Sequence, residues 1–143
     1  MSCLGVAATE DEAFVIPAGE DWQVEAIREV CESDVPKVLQ NAQYDTFFLK
    51  YFNEIEIRNV VADTMLQWHS LQPELAGQKE EVSKRKKARR KTEKSLRFLA
   101  SIFCRDSWFK DYDFASEMEK YELCGVDCMV TLEIAKRLKE MLR

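Results

Sequence analysis

The sequence predicts an all-α fold: an irregular bundle of about five or six helices, one of them long, highly basic and partly exposed. Two observations carry this. Only 4 Gly and 3 Pro occur in 143 residues, too few turn residues for a sandwich or barrel of short strands, and most segments are rich in Glu, Lys, Leu and Ala. Apolar residues also recur at three- and four-residue spacing, the period of a helix with one buried face. With 46% hydrophobic residues, a chain of this size can offset the conformational entropy of folding as one domain.

Residues 1–19 read as an extended or partly disordered leader, with an acidic stretch from Thr9 to Glu12 and a small apolar cluster, Phe14 to Pro17, ahead of Gly19. A single helical domain is expected over 20–143. Its first helix starts near Asp21, where Trp22, Ala26, Ile27 and Val30 line one face. Ser33 or Asp34 caps a short second helix, with Pro36 in its first turn. The aromatic-rich stretch Tyr44, Phe47, Phe48, Leu49, Tyr51 and Phe52 is expected as buried core, because aromatics bury the most apolar area per residue. Asn53 and Glu56 have the spacing of a capping box and open a helix to residue 72 with Ile57, Val60, Val61, Met65, Trp68 and Leu71 on its stripe.

Pro73 suits the first turn of a long basic helix over 74–103. Between Ser83 and Ser95 its only apolar residue is Ala88, so its middle has no stripe for a core and is exposed or covered by a partner. A loop with Trp108, Phe109 and Tyr112 follows. Asp113 then caps a short helix stopped at Gly125, and Asp127 caps a last one lined by Val130, Ile134, Leu138 and Met141.

Charge is the most informative feature. The chain carries a net −5, yet residues 79–97 hold ten Lys or Arg against three Glu. A basic segment of +7 is thus joined to an acidic remainder of −12. Lys84, Arg85, Lys86, Lys87, Arg89, Arg90, Lys91, Lys94 and Arg97 are the candidate binding residues, since like charges one helical turn apart repel and an acidic partner relieves them. That partner is first an acidic protein surface, a second copy of this chain included, with Val82, Leu96, Phe98 and Trp108 as apolar contacts. The alternative is the phosphate backbone of RNA or DNA. Basic and aromatic residues interleave from Arg97 to Tyr112, as in single-strand binders, but Asp106, Asp111 and Asp113 oppose phosphate there.

Catalytic groupings are not legible. No glycine-rich phosphate loop and no spaced nucleophile, base and acid occur, and His69 is the single imidazole. The five Cys are an odd set expected as reduced thiols, and Cys124 and Cys128 lack the spacing and companions of a closed zinc site. They are expected as small buried residues flanking a helix boundary. No run of the roughly 18 apolar residues needed to span a bilayer is present. The expectation is a non-catalytic adaptor or structural subunit, without metal or cofactor, inside the cell in cytoplasm or nucleus.

Overall fold

The computed structural model describes residues 2–73, 95–104 and 116–143. In chain order the elements are β1 (Cys3–Ala7), β2 (Ala13–Pro17), α1 (Asp21–Glu32), β3 (Lys37–Leu39), α2 (Ala42–Asn53), β4 (Val60–Asp63), α3 (Thr64–Leu71), α4 (Leu96–Phe103) and α5 (Glu117–Met141). Helices dominate, but two small two-stranded sheets make the described residues mixed α/β and overturn the all-α expectation.

The first sheet is an antiparallel hairpin in the segment read as a leader, with Cys3 opposite Pro17, Gly5 opposite Val15 and Ala7 opposite Ala13. β-branched and aromatic residues in Phe14 to Ile16 favour the strand, and residues 8–12, polar from Thr9 onward, make the turn. The hairpin lies on α5, and Lys136 Nζ holds Glu10 Oε1 of its turn at 2.8 Å.

The second sheet replaces the expected second helix. β3 pairs in parallel with β4, Lys37 against Val60 and Leu39 against Asp63, with α2 as the crossover that parallel strands require. Lys37 fixes the entry to this unit, its ammonium donating to the carbonyls of Ser33 (2.7 Å), Val35 (2.9 Å) and Arg58 (3.1 Å). The last of these reaches across 21 residues, so no local capping signal could report it.

Asn53 does not open a helix; it ends α2. Glu54 follows at φ 54°, and its amide and that of Ile55 both donate to the carbonyl of Leu49. The true start of the next helix is Asp63. Its Oδ1 accepts from the amides of Met65 (2.9 Å) and Leu66 (3.4 Å) at the head of α3. The same carboxylate accepts from Asn41 (3.1 Å) and Ala42 (2.8 Å) at the head of α2, which has no side-chain cap of its own. One buried carboxylate thus satisfies unpaired amides at two helix N-termini.

Gly125 does not stop a helix and Asp127 does not cap one, because α5 runs unbroken from a Ser116–Glu119 capping box to Met141. The absent Cβ of Gly125 leaves room for the hairpin: an ideal Cβ there would stand 3.5 Å from both Ala13 Cβ and Val15 Cγ2. α5 is the common support. Its Val130, Ile134 and Leu138 pack with Trp68, Leu99 and Ala100 in one core, while Ile27, Cys31, Leu49 and Ile55 form another under the hairpin residues Leu4 and Ile16. The expected stripe holds at Val130, Ile134 and Leu138, but Met141 is exposed.

The single rod expected over 74–103 is also revised. Ser95 has extended backbone and caps α4, its Oγ accepting from the amide of Phe98, so a helix begins afresh at Leu96. Residues 74–94 lie outside the described residues.

Candidate interaction surface

The aromatic stretch forms α2 and turns away from the core. At 100° per residue, Tyr44, Phe47, Phe48, Tyr51 and Phe52 occupy one arc of the helix and Leu49 the opposite side. Leu49 is the buried residue of α2, whereas Tyr44, Phe47 and Phe52 are each 63% exposed and Tyr51 is 70% exposed. The expectation that these rings form the core is overturned. With Leu49 the helix already fills its side of the small core with Ile27, Cys31 and Ile55. Among the described residues no element lies over the wide aromatic arc.

The rings order one another. Phe47 stacks on Tyr51 at a centroid separation of 5.5 Å, Phe48 meets Phe52 at 4.9 Å, and Tyr51 meets Phe52 edge-on at 5.0 Å. Such pairs contribute about 0.5–1.5 kcal/mol each beyond area burial, so the face is pre-organised rather than loose. Taking about 200 Å² per ring, four rings two-thirds exposed present roughly 500 Å² of mostly apolar surface. That matches the largest patch of a typical monomer, which is often functional. Its surroundings are mixed in charge: Asp45 lies on α2 itself, Glu54 and Glu56 follow its C-terminus, and Lys50 and Arg58 both pair with Glu56. Burial, then the neighbouring charge of Asp63, raises the Asp45 carboxyl above its ordinary range.

The residues singled out from charge are placed as follows. Lys84, Arg85, Lys86, Lys87, Arg89, Arg90, Lys91, Lys94, Val82 and Trp108 lie outside the described residues. Arg97 is exposed on α4. Leu96 and Phe98, expected as partner contacts, pack on the core instead; Phe98 meets Trp68 edge-on at 6.5 Å.

A second constellation was missed because it is assembled across the chain. On β1, Cys3 and Gly5 point to the same side, and on α5 Cys124 and Cys128 lie one turn apart. An ideal Cβ on Gly5 would stand 2.7 Å from Cys128 Sγ and 2.8 Å from Cys124 Sγ, so both sulfurs press on the bare Cα. The thiols of Cys3, Cys124 and Cys128 form a hydrogen-bonded chain in which Cys124 donates to Cys128. That bond, and then burial, raises the Cys124 thiol, while the Cys128 thiol is lowered by accepting it. Beside them burial pushes the Asp127 carboxyl up to about 6, and its Oδ1 has no hydrogen-bond partner. The sequence signal was the i, i+2 spacing of Cys3 and Gly5 set against the i, i+4 spacing of Cys124 and Cys128. Cys124 and Cys128 therefore sit inside a helix, not at a boundary.

Along the other side of the hairpin runs an open groove of about 710 Å³, with Met118, Leu123, Val126 and Met129 of α5 and the carboxylates of Glu12 and Glu122 on its walls. Neither a thiol nor an imidazole lines it. Among the described residues no three His, Cys, Asp or Glu are arranged to hold a metal ion, and no helix is long and apolar enough to cross a membrane. Comparison with protein-family models and with curated proteins gave no match.

Proposed function

We propose that the chain is a non-catalytic protein-interaction module, an adaptor or structural subunit of a larger assembly in the cytoplasm or nucleus. The observation that carries this is the aromatic face of α2, which no described element covers. Burying roughly 500 Å² at about 25 cal/mol per Å² supplies on the order of 12 kcal/mol, comparable with the rotational and translational cost of association. A standard interface also buries about 800 Å² per partner. The aromatic face is therefore the centre of the contact and not the whole of it. The basic segment Lys84 to Lys91, with Lys94 and Arg97, is the second contact in this reading. The partner is accordingly a protein whose surface pairs an apolar patch with an acidic one.

Nucleic acid is the second reading, favoured by the basic run alone. Asp45, Glu54 and Glu56 around the rings oppose phosphate and place it behind the protein reading. The test uses two variants of the full chain: Phe47→Ser with Tyr51→Ser, and Lys86, Lys87, Arg89 and Arg90 all changed to Glu. Candidate partners enriched from cell extract are purified and titrated calorimetrically against each form. A defined protein whose binding falls more than about tenfold with either variant, both remaining folded by circular dichroism, supports the reading. Binding unchanged by the aromatic variant overturns it. Salt-dependent anisotropy of labelled RNA or DNA, lost only with the charge variant, promotes the nucleic-acid reading instead, and a concentration-dependent dimer in sedimentation identifies the partner as a second copy.

A further inference from the structure

We propose that Cys3, Cys124 and Cys128 form a thiol–disulfide exchange site, which takes a low-molecular-weight disulfide such as oxidised glutathione and stores it as a bond between Cys3 and Cys124. Three observations converge. Cys3 is only half-buried, so a soluble disulfide can reach it. Cys3 and Cys124 are in hydrogen-bonding contact across the β1–α5 interface. Gly5 brings the strand down onto the helix so closely that both helix sulfurs touch its Cα region, and Cys3 stands two residues from it on the same side of β1.

The chemistry balances in two steps. The Cys3 thiol gives its proton to solvent, and its thiolate attacks one sulfur of the disulfide RSSR. A Cys3–S–S–R mixed disulfide forms, and RS⁻ leaves and takes up a proton. Cys124 Sγ then attacks Cys3 Sγ, the Cys3–SR bond breaks, and the second RS⁻ is protonated by solvent. During this step the Cys124 proton is lost to solvent, while Cys128, the acceptor to which Cys124 is already hydrogen-bonded, holds the attacking sulfur in place. In sum, two protein thiols and RSSR give one protein disulfide and two RSH, so the protein is oxidised and the small disulfide reduced. Cys128 is unchanged.

Cys31 and Cys104 act as internal controls. Cys31 is buried in the small core, and Cys104 packs against the other core beside Glu133. The full chain is incubated with oxidised glutathione under native conditions, alkylated, digested and mapped by mass spectrometry. The expected result is a Cys3–Cys124 crosslink forming about tenfold or more faster than in the urea-unfolded chain, as proximity requires. Cys124→Ser should stop the reaction at a glutathionyl adduct on Cys3, and Cys128→Ser should slow closure without slowing adduct formation. Each variant is checked for an unchanged native circular dichroism spectrum. The proposal is overturned by a crosslink no faster than in the unfolded chain, by a stable Cys3 adduct in the unaltered protein, or by a bond from Cys128 in place of Cys124. Oxidation of Cys31 or Cys104 at the same rate also overturns it.

Discussion

Replacing Asp63 by Ala removes the shared acceptor of four backbone amides at two helix ends, those of Asn41, Ala42, Met65 and Leu66. Losing a side-chain N-cap costs about 1 kcal/mol for one helix. Two caps give roughly 2 kcal/mol, and amides left without acceptors in a part-buried site raise the total to about 3 kcal/mol. Asp63→Asn retains Oδ1, the acceptor in three of the four contacts, but turns an NH₂ toward the amide of Ala42. Its cost should be smaller, about 1 kcal/mol. Urea denaturation followed by circular dichroism measures both. With a urea slope of about 2 kcal/mol per molar, the midpoint should fall by roughly 1.5 M for Ala and 0.5 M for Asn, the slope unchanged. A loss under about 0.5 kcal/mol for Ala, or equal losses for Ala and Asn, would refute the shared-cap reasoning.

Four further substitutions test other parts of the fold. Asp127 titrates near pH 6 when folded and near its ordinary value when unfolded, so the native state binds the proton more tightly. Its charge therefore weakens the fold above about pH 6, and this penalty disappears as pH falls toward about 4. Asp127→Asn should raise stability at pH 7 by about 1–2 kcal/mol, discounted for partial solvent exposure, and flatten that part of the stability–pH curve; urea midpoints at pH 4, 5, 6 and 7 read it out. Glu54→Gly relieves a left-handed residue (φ 54°) and keeps the backbone carbonyl that accepts from Arg28 at 2.9 Å. It should raise the thermal midpoint, a gain of up to about 1 kcal/mol, and a fall would show that the conformation is unstrained. Gly125→Ala places its methyl in ordinary contact at 3.5 Å and should stabilise α5 by about 0.5–1 kcal/mol. Gly5→Ala drives a methyl to within 2.8 Å of the Cys124 carbonyl oxygen and both helix sulfurs, and should cost about 1–3 kcal/mol. Equal thermal midpoints for the two glycine variants would contradict the packing.

Parts of this architecture were legible along the chain because they depend on near neighbours. The start of α1 at Asp21 and the buried Val130, Ile134 and Leu138 of α5 follow from helical spacing, which is a local repeat. The charge asymmetry needs no structure at all. β3 and β4 are three and four residues long, too short for a period to register, and they exist because each supplies the other's hydrogen bonds across α2. Gly125 reads as a stop until the hairpin that occupies the space of its missing side chain is in place. The aromatic stretch of α2 and the three thiols teach the same lesson from opposite sides. Hydrophobicity measures what a side chain would gain from cover, while the number of elements packed around it sets whether cover is available. Leu49 found that cover and Tyr51 did not, two positions apart on one helix. Cys3 and Cys124 lie at opposite ends of the chain and meet because β1 and α5 share an interface, a pairing that only long-range packing can create.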